Sequence, residues 1–179
     1  MSGHSKWSTI KHKKALTDAK RSKIFSKVSS LITIAARKGG DPDKNPSLRT
    51  VIEKAREVNL PTENIERAIK RGTGEIAGAQ IEEVTYGAFG PGGVAMLITA
   101  ITDNKNRTLS EIKQMLNAHN AKFAEVGSIQ WMFRREGQDW VPNSPIKIEN
   151  ENVKKELDAL YEDLDEQQDT SEIYDNIGN

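Results

Sequence analysis

The first third of the chain repeats apolar residues at helical spacing. Between positions 17 and 38, Ile24, Phe25, Val28, Leu31, Ile32 and Ala35 fall on one face of a 3.6-residue period, and Gly39-Gly40 follows as a stop. Asn45-Pro46 supplies an N-cap with proline in the first turn, and Leu48, Val51, Ile52, Ala55 and Val58 make the inner stripe of a second helix. A third opens after Pro61, places Ile65, Ala68 and Ile69 inside, and ends at Gly72-Thr73-Gly74. Three helices joined by short turns predict a bundle with its apolar faces packed together and its lysines outward.

Past the small-residue linker 74–78 the pattern becomes strand-like. Residues 81–86 and 94–101 flank GAFGPGG, whose glycines suit a strand connection needing positive φ rather than a phosphate cradle, since phosphate-binding loops open helices. Thr108-Leu109-Ser110-Glu111 reads as a capping box for a helix with Leu109, Ile112, Met115 and Leu116 inside. Residues 128–133 alternate Ile129, Trp131 and Phe133, which predicts a strand, and 140–148 follows with two prolines. An acidic helix with Val153, Leu157, Leu160 and Leu164 inside and a strand near 172–176 come last. Counted from Val94 the order is β-α-β-β-α-β, the split arrangement of ferredoxin-like folds, with 81–86 as an extra strand. The expectation is an α+β protein: a tail and three-helix bundle over 1–78, then a ferredoxin-like α/β domain over 79–179.

Charge changes the picture more than composition does. The 179 residues carry no formal net charge, but residues 1–40 hold ten Lys/Arg against Asp18 alone, +9, and residues 136–179 hold three against thirteen acids, −10. A basic end in a balanced chain is an electrostatic footprint for polyanions, most often nucleic acid. The absence of cysteine excludes disulfides and thiolate metal sites. No apolar run reaches membrane-spanning length and the basic N-terminus has no hydrophobic stretch behind it, so a cytoplasmic location is expected.

The segment GHSKWSTIKHKK carries the clearest chemistry. Trp7 is placed to stack on an unpaired base while Lys6, Lys11, Lys13 and Lys14 bind phosphates, beside His4 and His12; the competing reading buries Trp7 as an anchor for the tail. Lys20, Arg21 and Lys23 continue the basic run into the first helix. Lys105 and Arg107, in DNKNR, sit where a helix N-terminus favours anions, although the Asn and Asp residues around them also form turns. His4, His12 and His119 have no zinc-site spacing, so neither a metal nor a cofactor is expected, and no nucleophile-base pair is legible in the sequence.

The stretches GHSKWSTIKHKK, DAKRSKIFSK, NIERAIKRGTG, YGAFGPGGVA, TDNKNRT and GSIQWMF together resemble the YebC family, catalogued as probable transcriptional regulators. The resemblance runs in order from Gly3 to about Phe133 and resumes weakly from Val141. It implies a cytoplasmic, non-enzymatic protein with a three-helix N-terminal domain and α/β domains behind it. Two functions compete: DNA-binding regulation, or a translation factor, since mitochondrial relatives activate translation of a respiratory-chain subunit and bacterial members are thought to assist ribosomes stalled on consecutive prolines. Typical members carry a further α/β domain that this chain replaces at 134–140 with a short connection.

For DNA reading, the second and third helices would form a helix-turn-helix pair, yet the leading turn of the third carries Glu63 and Glu66, which phosphates repel. The charge distribution favours ribosomal RNA or a ribosome-bound tRNA as partner, with DNA as the alternative and a monomer expected. A third reading makes the acidic C-terminal helix a protein contact, or a competitor that screens out weak polyanions.

Overall fold

The computed structural model describes residues 17–178. They fall into two compact units, one holding residues up to 83 together with 101–103, the other 84–100 and 104 onward.

In the helical unit α1 (Asp18–Ala36) is the spine, and α2 (Pro46–Glu57) and α3 (Thr62–Thr73) both pack against it while making sparse contact with each other. The core follows the predicted faces in part: Val28, Ile32, Ala35 and Ala36 of α1 meet Leu48, Val51, Ile52 and Ala55 of α2 and Ile65 and Ala68 of α3, whereas Ile24, Phe25, Leu31, Val58 and Ile69 are only half-buried and Lys27, expected to point outward with the other lysines, is buried. Asn45 does more than cap. Its Oδ1 accepts from the Leu48 amide at 3.1 Å, as an N-cap should, and its Nδ2 donates to the Ala35 and Gly39 carbonyls at 2.9 and 2.8 Å. One buried side chain thus closes α2 and ties its start to the Ala35 carbonyl of α1 and the Gly39 carbonyl just beyond it.

Gly72 sets the α1–α3 approach. A Cβ there would lie 2.4 Å from the Thr33 carbonyl oxygen and 2.6 Å from the Ala36 Cβ, so the two backbones cross where only glycine fits. Thr33 Oγ1 bridges the same crossing, with the Ser29 carbonyl at 2.9 Å and the Ala68 carbonyl at 3.2 Å. The left-handed C-cap falls to Gly74, at φ 82°.

The second unit is an α+β layer built on a four-stranded sheet ordered β3-β1-β2-β6, with β1 Glu82–Phe89, β2 Ala95–Thr102, β3 Lys122–Ala124 and β6 Thr170–Asp175. β3 pairs antiparallel with β1 and β6 antiparallel with β2. The fold class is as the sequence predicts, and the strand expected at 81–86 is present as β1, which lies inside the sheet between β3 and β2. β2 is buried along its whole length because both of its faces are covered. Met96, Ile98 and Ala100 join Ile112 and Leu116 of α4 (Lys105–Ala118) and Leu157, Leu160 and Leu164 of the acidic helix, while Ala95 and Leu97 face Ile129, Phe133, Trp140 and Tyr174. The β1–β2 turn takes positive φ at Gly92 and Gly93.

Three local expectations are corrected. Residues 128–133 are not a strand: a helical turn α5 (Val126–Ile129) and a 3-10 turn (Gln130–Met132) precede β4 (Phe133–Glu136). In turn geometry Ile129 and Phe133 point into the core while Trp131 stands 72% exposed, its Nε1 donating to the Ser128 carbonyl at 2.8 Å. The stretch 140–148 holds the end of β5 (Asp139–Pro142), which pairs with β4, and an isolated bridge from Ile146 to Ile177; Pro142 and Pro145, which lack an amide to donate, stand before and within the break between them. Finally, α4 begins at Lys105 and not at a Thr108 box. Asn104 Oδ1 accepts from the Arg107 amide at 3.1 Å, and Thr108 lies inside the first turn, its hydroxyl donating to the Asn104 carbonyl. The acidic helix is α6 (Glu151–Glu166), capped by Asn150.

Candidate nucleic-acid interface

His4, Lys6, Trp7, Lys11, His12, Lys13 and Lys14 lie outside the described residues. The basic run they begin continues onto α1, whose first turns are solvent-exposed and carry Lys20, Arg21 and Lys23. Thr17 caps this helix by accepting from the Lys20 amide, and Asp18 is the single acid in the first turn. Cations at a helix N-terminus oppose the macrodipole, at roughly 0.3–1 kcal/mol each for exposed groups at low salt. Lys20, Arg21 and Lys23 therefore stand where the helix itself adds positive potential, and an anion docked here relieves both sources of repulsion.

A second cationic surface lies where α1 meets α3. Between α1 and α3 runs an open groove of about 430 Å3, with Ser22, Ser26, Ser29 and Ser30 on one wall and Arg67 and Arg71 on the other. Gly72 and Thr33 fix how closely the two walls approach. Sequence reasoning missed both arginines because Glu63 and Glu66, a turn earlier, dominated the reading of α3. The signals were present as an i, i+4 arginine pair and serines recurring at helical spacing.

Lys105 and Arg107 share the first turn of α4, but the fold uses them differently. Lys105 is exposed. Arg107 Nη2 instead meets Asp169 Oδ2 at 2.9 Å, and the same oxygen accepts from Thr108 Oγ1 at 2.7 Å and Gln167 Nε2 at 3.3 Å. Buried Gln167 anchors the cluster by accepting from the Asp169 and Thr170 amides, both at 2.7 Å, and donating to Glu111 at 2.9 Å. Burial alone would raise the Asp169 pKa; hydrogen bonds from Arg107, Thr108 and Gln167, with the guanidinium charge, outweigh it and hold the carboxyl below its ordinary value. Arg107 thus ties α4 to the α6–β6 connection. His119 is likewise engaged, its Nε2 lying 2.6 Å from Asp163 Oδ2 on α6. Among the described residues no group of three or more His, Cys, Asp or Glu is arranged to hold a metal, and no helix is long and apolar enough to cross a membrane.

Two family models match the chain: the TACO1/YebC protein N-terminal domain over residues 5–75 and the TACO1/YebC second and third domain over residues 81–139. A protein of Pseudothermotoga lettingae named as a probable transcriptional regulatory protein is 49% identical over 174 residues, 97% of this chain and 69% of its own. A relative of the same name from Dictyoglomus turgidum is also 49% identical, over 97% of this chain and 70% of its own. The crystal structure of a conserved hypothetical protein from Aquifex aeolicus matches with a TM-score of 0.84 at 32% identity, covering 97% of each chain.

Proposed function

Because the chain belongs to the TACO1/YebC family, we propose that it is a non-enzymatic, cytoplasmic nucleic-acid-binding factor whose target is ribosomal RNA or a ribosome-bound tRNA. In this role it activates translation or relieves stalling at proline-rich stretches. The observation that carries this reading is where the cations stand. They run from the N-terminal segment onto the exposed first turns of α1, the form suited to a basic strand threaded into folded RNA. A helix pair made to read a DNA groove needs a second helix whose first turns welcome phosphates. Here α3 opens with exposed Glu63 and Glu66, and α2 and α3 each pack on α1 more than on one another.

On this reading Trp7 stacks on an unpaired base and Lys6, Lys11, Lys13 and Lys14 neutralise phosphates, beside His4 and His12. The domain missing relative to longer relatives is taken to be replaced at 134–140, where Gly137 closes the β4–β5 hairpin with φ 65°; the basic face lies elsewhere in sequence and is kept. The names of the relatives favour a second reading, a DNA-binding regulator of transcription.

Replacing Lys11, Lys13 and Lys14 with Glu is expected to abolish co-sedimentation with ribosomes while leaving the circular dichroism spectrum and melting temperature unchanged. Unaltered co-sedimentation would refute the RNA reading. In cells, deletion is expected to produce codon-localised ribosome pauses. Changed transcript levels from a few promoters, without pauses, would establish the DNA alternative instead.

A further inference from the structure

We infer that the groove between α1 and α3 is a second RNA contact that receives the phosphodiester backbone of a single strand, with Arg67 and Arg71 as its cations. This rests on the RNA-binding reading above but on different residues.

Several observations point to a backbone. The arginines lie one helical turn apart, about 6 Å along the axis, on one face of α3. Each is exposed, and neither makes a hydrogen bond or ion pair with another described residue. Across from them, the hydroxyls of Ser22, Ser26, Ser29 and Ser30 also lack a hydrogen-bond partner among the described residues, whereas Thr33, deeper in the same wall, is satisfied by two carbonyls. Unpaired guanidiniums facing unpaired hydroxyls form a donor set for phosphate oxygens. Small-molecule pockets are lined mainly by apolar and aromatic groups. In this groove Phe25, Ala68, Ala79 and Ile81 share the lining with the serines and arginines, and it is open to solvent, which suits a chain passing through rather than a ligand enclosed. Short serines also keep the helices from closing over it, and Gly72 holds the crossing at its end.

The test is titration of single-stranded oligouridylate and of ribosomes with R67A/R71A. Affinity for oligouridylate is expected to fall about tenfold or more, through loss of two charge-assisted contacts, and the log-log salt slope to become shallower by about 1.4, at 0.7 per phosphate. R67K/R71K should restore the slope while recovering only part of the affinity, because lysine lacks the planar fork. A second variant, S26L/S30L, fills the groove without changing charge and should weaken binding too, with folding checked by circular dichroism. If R67A/R71A binds with wild-type affinity and slope while the tail variant does not bind, the groove is unused and this inference falls, though the RNA reading stands. If removing the arginines weakens binding but filling the groove does not, the arginines act as general surface charge and the inference also falls. Failure of the wild-type protein to bind either probe would overturn both.

Discussion

Two helix starts in this protein carry nearly the same chemistry and put it to opposite uses. α1 opens with Thr17 as cap and Lys20, Arg21 and Lys23 in its first turns; α4 opens with Asn104 as cap and Lys105 and Arg107 in its first turn. At α1 these turns are exposed, and Lys20 and Arg21 have no ion pair with another described residue. At α4 the guanidinium is drawn onto a half-buried carboxylate sixty-two residues away and held there with Thr108 and Gln167. A cation at a helix N-terminus is therefore an anion site only where the fold supplies no anion of its own. The arginine at α4 stabilises its unit; Lys20 and Arg21 at α1 stay exposed with no ion pair to another described residue.

Removing Asp169 separates the two most sharply. D169A removes the acceptor that Arg107, Thr108 and Gln167 share; Thr108 keeps the Asn104 carbonyl and Gln167 keeps Glu111, so the loss falls mainly on the Arg107 ion pair, and the variant is expected to be destabilised by about 1–3 kcal/mol by urea denaturation. The effect should depend on pH in a defined direction. The native pKa of Asp169 lies below the ordinary 3.8, so its stabilisation is fully present above that value and is lost as pH falls through the lower native value. The stability gap between wild type and D169A should thus be constant near neutrality and narrow only in acid. A gap that stayed constant down to the lowest pH at which the protein folds would mean the ionised carboxylate contributes nothing.

The complementary change at α1 should touch stability very little. K20A/R21A removes two exposed cations from the unfavourable end of a dipole, so the unfolding free energy should shift by at most about 0.5 kcal/mol, toward greater stability if at all. Oligouridylate binding should weaken several-fold, and the salt slope should become shallower by about 1.4 if each cation neutralises one phosphate. If instead K20A/R21A destabilised as much as D169A, the contrast between the two starts would collapse.

The helices of the first unit were legible because their information is local: a 3.6-residue apolar period, Asn45-Pro46 at one start, glycines at the ends. Even there the second role of Asn45, closing the end of α1, is invisible in sequence because its acceptors lie six and ten residues back on another element. The misplaced start of α4 has the same origin. Asn104 and Thr108 are both good caps by type, and the partner that draws Thr108 inside the helix, Asp169, lies sixty-one residues away. Residues 128–133 deceived for a different reason. Ile129 and Phe133 are buried in one cluster four residues apart, which fits both strand alternation and helical spacing, and only the exposure of Trp131 separates the two. β3, at three residues, is too short to show a period at all. Of the candidate interface, the cations of α1 are visible in the sequence, but the groove is not, since it exists only where α3 crosses α1.

The smallest expected effect concerns the acidic helix. Its charge suggests competition with weak polyanions, and the residues from which that follows at first sight are Glu162, Asp163, Asp165 and Glu166. The fold narrows the choice. Asp163 is bonded to His119, Asp165 is half-buried, and both Asp165 and Glu166 have partners within the structure, so neutralising all four would disturb packing as well as charge. Glu156 and Glu162 are exposed and without partners among the described residues, and they lie off the stripe of Leu157, Leu160 and Leu164. E156Q/E162Q therefore changes the field by two charges and little else. Screening confines such a field to a Debye length of about 8 Å at physiological salt, so the gain in oligouridylate affinity should be about twofold and should disappear at high salt. Ribosome binding, if it depends on many fixed contacts, should barely change. An equal gain for both targets would mean that α6 only sets net charge, leaving discrimination to the tail, α1 and the groove.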